Sequence, residues 1–249
     1  MRIFPLSDLH LERRRLDLIA PPAEPFDLLA CPGDLYEGHP ERGLAALLHL
    51  AQGRPVVLVP GNHERYAPTG DPRTAPELLA TLEAEVARLN GEGGRIHLLQ
   101  KAQACVIDGV RFVGTTLWSD WGLAGRWLAP DAPDRPDDPV AYAAARMTDP
   151  VTGSREYLGS IRKGDGRPWQ PADAMAEHWA ERAGLHAALH RPHDGRRARR
   201  HMDVRCGCTQ LVRQVTPATC ESWGFLLPTR MRVILAVVQQ SQLLHLRRH

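Results

Sequence analysis

The chain has 249 residues, 43% of them hydrophobic, enough to bury a core as one α/β domain, and no run approaches the ~18 apolar residues of a membrane span. Arg2 already opens a candidate strand, with no charged leader or apolar signal stretch before it, so a cytoplasmic location without a membrane partner is expected. Five scattered cysteines (Cys31, Cys105, Cys206, Cys208, Cys220) argue against a secreted disulfide framework. The net charge of +2 conceals an asymmetry: residues 1–189 hold 20 Lys and Arg against 26 acids, and residues 190–249 hold 11 Arg against 3 acids.

Taken in order, Arg2-Ile3-Phe4-Pro5-Leu6 reads as a strand that runs into Ser7-Asp8-Leu9-His10. Arg13-Arg14-Arg15 follows, either a solvated face or a contact for an anionic substrate. A second strand at 26–31 ends in Pro32-Gly33-Asp34. A helix then opens with Pro40, presents Leu44, Leu47, Leu48 and Ala51 on one face, and closes at Gly53. The apolar run Val56-Val57-Leu58-Val59-Pro60 stops abruptly at Gly61-Asn62-His63-Glu64. This β-loop-α-β order lays parallel strands side by side with a helix across them.

A second helix begins at Pro76, carries Leu78, Leu79, Leu82, Val86 and Leu89, and ends at Asn90-Gly91. Apolar runs at 96–99, 104–107 and 110–117 come next, and Asp108-Gly109 between the last two signals a hairpin, so a mixed sheet is expected. In 122–169, Pro130, Pro133, Pro136 and Pro139 alternate with Asp131, Asp134, Asp137 and Asp138, which reads as a surface excursion. Trp118, Trp121 and Trp127 either line a site beneath it or anchor it. A third helix runs from near Pro171 to about Arg191.

The pattern then fails. Arg196-Arg197-Ala198-Arg199-Arg200-His201 stands where an αβ unit calls for an apolar strand, and one apolar run, 233–238, appears later. The expected division is a domain over 1–195 and an Arg-rich, atypical tail over 196–249 that is poorly ordered or serves as a polyanion-binding arm. Cys206-Gly207-Cys208 is too close-set for a usual zinc knuckle, and a site with His201 rests on proximity alone.

Three strand ends deliver Asp8, His10, Asp34, Asn62 and His63 toward one edge, where open α/β sheets place their chemistry. Carboxylate, imidazole and amide oxygen suit divalent ions of intermediate hardness: Mn, Fe, Zn or Mg. An Asp can bridge two ions through its two oxygens, and two ions ~3.5–4 Å apart clamp a phosphoryl group for in-line attack. Asp-x-His, Gly-Asp and Gly-Asn are each everyday fragments. Their weight lies in the ordered set, 26 residues from Asp8 to Asp34 and 28 from Asp34 to Asn62.

At these motifs (Asp-x-His at 8–10, Gly-Asp at 33–34, Gly-Asn-His-Glu at 61–64) the chain resembles the calcineurin-like metallophosphoesterases. Residues 109–120 and 168–195 are similar to the small bacterial branch of that family. Pro32 stands where a small residue is more usual. The resemblance covers about 1–195 and implies a four-layer αββα sandwich of two mixed β-sheets. It further implies hydrolysis of a phosphomonoester or phosphodiester by in-line attack of a metal-bridging hydroxide at a dinuclear centre. Asp8 and His10 would ligate the first metal, Asp34 would bridge, Asn62 would ligate the second, and His63 would be the acid at the leaving group. The strand ending in His and the Gly-His-x-His loop that complete the family's site do not follow Gly195. That loss implies a second metal site that is weak or empty, low turnover, and a shifted reading frame or unrelated sequence from about Arg196. The alternative is a catalytically inactive sandwich that binds nucleic acid or another polyanion through the basic tail.

Overall fold

The computed structural model describes residues 1–13, 20–122 and 137–190, together with the backbone of two short strands at 203–204 and 232–236. Its strands are β1 (Arg2–Pro5), β2 (Leu28–Cys31), β3 (Val56–Leu58), β4 (Ile96–Leu98), β5 (Gln103–Ile107), β6 (Val110–Thr115), β7 (Asp203–Val204) and β8 (Arg232–Ala236). Its helices, numbered in chain order, are α1 (Pro40–Ala51), α2 (Ala75–Gly91), α3 (Pro139–Met147) and α4 (Pro171–His190).

Unbroken apolar runs give strands covered on both faces. Every residue of β2 and β3 is buried. They sit in a five-stranded sheet of order β4-β3-β2-β1-β7, parallel in all its pairings, with Ile3 opposite Leu28, Leu29 opposite Val56 and Val56 opposite Ile96. The mixed character lies in the second sheet, β5-β6-β8, where β5 pairs antiparallel and β8 parallel with β6. Asp108 (φ 48°) and Gly109 (φ 77°) turn the β5–β6 hairpin, both in the left-handed region that a tight hairpin turn requires.

Side-chain alternation along β2 sets the layers. Leu29 and Cys31 join Leu44, Leu47, Leu50 and Leu82 of α1 and α2 in one core. Leu28 and Ala30 join Val57, Val59, Ile107, Val110 and Phe112 in a second core between the two sheets. Val113, on the other face of β6, packs with Leu185 and Ala188 of α4. The order is helices, sheet, sheet, helix: the expected four-layer sandwich.

Residues 137–169 correct the reading of 122–169 as a surface excursion. Asp138 caps α3 by accepting the Val140 and Ala141 N–H groups at 3.0 and 2.9 Å, and Pro139 occupies the first turn. The helix buries Ala143 and Met147 in a third core with Trp118, Trp121, Tyr157, Ile161 and Trp169. Trp118 and Trp121 are therefore anchors, 1% and 4% exposed. Trp127, His201, Cys206, Cys208, Cys220 and most of the tail's arginines lie outside the described residues. From the tail, β7 extends the parallel sheet beside β1, and the 233–238 run supplies most of β8. Among the described residues no helix is long and apolar enough to cross a membrane.

Candidate metal centre

The loops that leave β1 and β2 continue side by side after the ladder ends. Asp8 N–H donates to Gly33 O at 3.2 Å, His10 N–H to Asp34 O at 2.9 Å, and Leu11 N–H to Leu35 O at 2.9 Å. In this arrangement Asp8, His10 and Asp34 have φ of 54°, 44° and 57°. Three non-glycine residues in the left-handed region within one edge mark a backbone whose strain is held by its surroundings. The third strand end fits against the second so closely that a Cβ at Gly33 would overlap Gly61 N, and one at Gly61 would overlap Asp34 Oδ1. Only glycine permits that approach.

Glu64 laces the same loops together. Its buried carboxylate accepts the N–H groups of Leu35 at 2.6 Å, Asp34 at 2.9 Å and Gly61 at 2.6 Å. These charge-assisted bonds fix the last turn of both loops.

All five sequence-predicted residues gather at this edge, with Asp8, His10 and Asp34 offering donor atoms within 4.8 Å of one another. A second group, His10, Glu12 and His63, meets the same limit. Glu12 Oε1 pairs with Arg13 Nε at 3.5 Å and His10 Nδ1 at 3.7 Å, and neither contact has hydrogen-bond geometry. Asp34 is 7% exposed. Burial, then the negative charges of Glu64 and Asp8, push its carboxyl well above the usual carboxylate range. Asp34 and His63 are buried, His10 and Glu12 half-buried and Asp8 exposed, so carboxylates and imidazoles converge at the rim of the site with donor atoms that a divalent cation would engage. The donor types suit Mn, Fe, Zn or Mg. The residues fit such an ion.

Asn62 and His63 are 2% and 8% exposed. Asn62 Nδ2 donates to Glu156 Oε1 at 2.8 Å and to Tyr66 Oη at 3.1 Å. His63 donates its backbone N–H to Asp34 Oδ1 at 3.1 Å, and its ring stacks on Tyr66 with centroids 4.4 Å apart. Its Nδ1 lies 3.0 Å from Glu37 Oε1. Burial acts to raise the pKa of Glu37, but His63 and the Arg155 guanidinium, which donates to both oxygens at 3.2 Å, outweigh it and hold the carboxyl at about 2. Glu37 is thus a fixed anion beside His63. Sequence reasoning missed Glu12, Glu37, Tyr66 and Glu156. The first three lie within four residues of a motif, where a local search would reach them. Glu156 is 94 residues from Asn62 and gave no signal.

A phosphopantetheinyl hydrolase from Mycobacterium tuberculosis is similar in structure, with 17% sequence identity and a TM-score of 0.47 over 82% of this chain and 67% of that one. No curated protein matches the chain. The family described as calcineurin-like phosphoesterase matches residues 1–194, which span β1 through the end of α4 and every residue of the edge just described. The chain belongs to the calcineurin-like phosphoesterase family.

Proposed function

We propose that the chain hydrolyses a phosphomonoester or phosphodiester with divalent metal, and that residues 1–195 carry the site. The reading rests on the donor atoms of Asp8, His10 and Asp34 lying within 4.8 Å of one another at the carboxyl edge of a parallel sheet. Asp8 and His10 would hold a first ion, Asp34 would be shared, and Asn62 would offer its Oδ1 to a second. Bound divalent ions supply Lewis-acid neutralisation of phosphoryl oxygens and make water a stronger nucleophile near neutral pH. The protein's own part is to fix those oxygens and to protonate the leaving group. His63 suits the protonation step, because with Nδ1 against Glu37, Nε2 is the atom that would give a proton to the departing oxygen. Stacking on Tyr66 holds the ring plane.

The ligand set within 1–195 is short of what the family uses, so metal should bind weakly and turnover should be low. Hydrolysis of p-nitrophenyl phosphate and bis-p-nitrophenyl phosphate, measured against Mn²⁺ concentration, tests this. Slow, saturable, Mn²⁺-dependent turnover that vanishes in Asp34→Asn is expected. Turnover no higher than in Asp34→Asn at any Mn²⁺ concentration would remove the enzyme reading.

A further inference from the structure

We propose that Glu156, in a turn far from every motif, is the positioning residue that sets which way Asn62 faces. The inference rests on the reading of Asn62 as a metal ligand. An asparagine side chain has one end that can ligate a cation and one that cannot, and the two are nearly isosteric. Something in the fold must choose between them.

Two groups touch the amide nitrogen: the Tyr66 hydroxyl at 3.1 Å and Glu156 Oε1 at 2.8 Å. They differ in what they can enforce. A hydroxyl donates or accepts, so Tyr66 would satisfy the amide in either orientation. The carboxylate oxygen that meets Asn62 is an acceptor. Turning Asn62 over would set Oδ1 against Glu156 Oε1, replacing a hydrogen bond with two facing oxygens in a site where Glu156 is 0% and Asn62 2% exposed. Both groups are buried, so the mismatch would go unrepaired by bulk solvent, and Glu156 commits Nδ2 to itself and leaves Oδ1 for the metal side.

The turn is built to hold that carboxylate in place. It spans Glu156–Ser160 and is kinked at Gly159, with φ 110°. The Ser154 hydroxyl donates to Glu156 Oε2. Ser160 O accepts the N–H of Ala67 at 2.8 Å, tying the turn to the segment that follows Asn62-His63. The preceding residue, Arg155, grips Glu37, which meets His63. One turn therefore braces both Asn62 and His63. Partners that orient metal ligands from behind typically change metal affinity about 10–100-fold when removed.

Two conservative substitutions separate reach from charge. Glu156→Asp keeps the anion but withdraws the acceptor by one methylene. Glu156→Gln keeps the reach and one acceptor oxygen but loses the charge; it permits both amide orientations, a population penalty of about twofold. Mn²⁺ binding to the full chain is followed by the electron paramagnetic resonance of free Mn²⁺, with wild type, Asp34→Asn and Asn62→Ala alongside and folding checked by circular dichroism. Glu156→Asp should weaken the Asn62-dependent binding step about 10-fold or more, and Glu156→Gln should stay within about threefold of wild type. Wild-type affinity in Glu156→Asp overturns the proposal. So does a loss in Glu156→Gln as large as that in Glu156→Asp, which would make Glu156 an electrostatic or direct ligand. If the wild type binds no Mn²⁺, or Asn62→Ala changes nothing, the reading of Asn62 falls and this proposal with it. If Asp34→Asn and Asn62→Ala lose binding while Glu156→Asp does not, only this proposal falls.

Discussion

Glu64 gives the sharpest test of how the metal-side loops are held. Its carboxylate is 6% exposed and takes three backbone N–H groups, from Asp34, Leu35 and Gly61. Glu64→Ala orphans all three. A buried unsatisfied N–H costs about 1–3 kcal/mol, so the summed loss has an upper bound of roughly 9 kcal/mol. Two effects reduce it. Water can enter the space the side chain leaves, and removing the anion relieves its repulsion of Asp34, which contributes to the raised pKa of that carboxyl. A net loss of about 4 kcal/mol is expected, which at ~2–4 °C per kcal/mol for a chain of this size lowers the melting temperature by about 8–16 °C. Glu64→Gln separates the terms. It relieves the same repulsion but keeps one oxygen, enough for the Asp34 and Gly61 donors that share Oε2, and sets its amide NH2 against the Leu35 N–H, donor to donor. Gln should therefore be more stable than Ala by about 2 kcal/mol or more. Urea unfolding in chelator-treated buffer, where metal linkage cannot contribute, measures both variants. An Ala variant within about 1 kcal/mol of wild type, or a Gln variant equal to Ala, would refute the claim that these three bonds hold the loops.

Glu181 supplies a pH dependence away from the metal side. Burial raises its pKa above the ordinary 4.5, only partly offset by Arg65, while its Oε2 accepts the Leu117 N–H at 2.7 Å. A carboxyl with a raised folded pKa binds its proton more readily in the native state, so its contribution is fully present below 4.5 and is lost as pH rises through the raised value. The melting temperature of wild type minus that of Glu181→Gln should fall as pH increases from about 4 to 8, since other titrations cancel in the difference; a flat difference would contradict the assignment. Glu37→Gln should lower kcat for an aryl phosphate by about 10-fold or more while leaving Mn²⁺ affinity unchanged, because Glu37 meets His63 Nδ1 and none of the proposed metal ligands. Equal loss in kcat and in Mn²⁺ affinity would show that Glu37 acts on the metal side instead.

The divide between what could be read in the chain and what could not follows the distance over which each feature is determined. The first three strands and α1 and α2 were legible because apolar period, cap and breaker all lie inside one segment. The convergence of Asp8, His10, Asp34, Asn62 and His63 was legible for a related reason. Parallel strands joined by right-handed crossovers put their carboxyl ends on one edge, so residues just past each end must be neighbours. Residues 137–169 were misread because one residue pair carries two meanings. Asp138-Pro139 has the composition of a turn, but it is also a helix cap followed by the favoured first-turn residue, and only the burial of Ala143 and Met147 against Trp118 and Trp169 decides between them. Glu156 lay beyond any such reading. Its role depends on a side chain 94 positions away whose two ends differ by one atom, and no periodicity records that. The motifs say where ligand atoms are offered; which atom of Asn62 is offered is decided by packing from the far side of the fold.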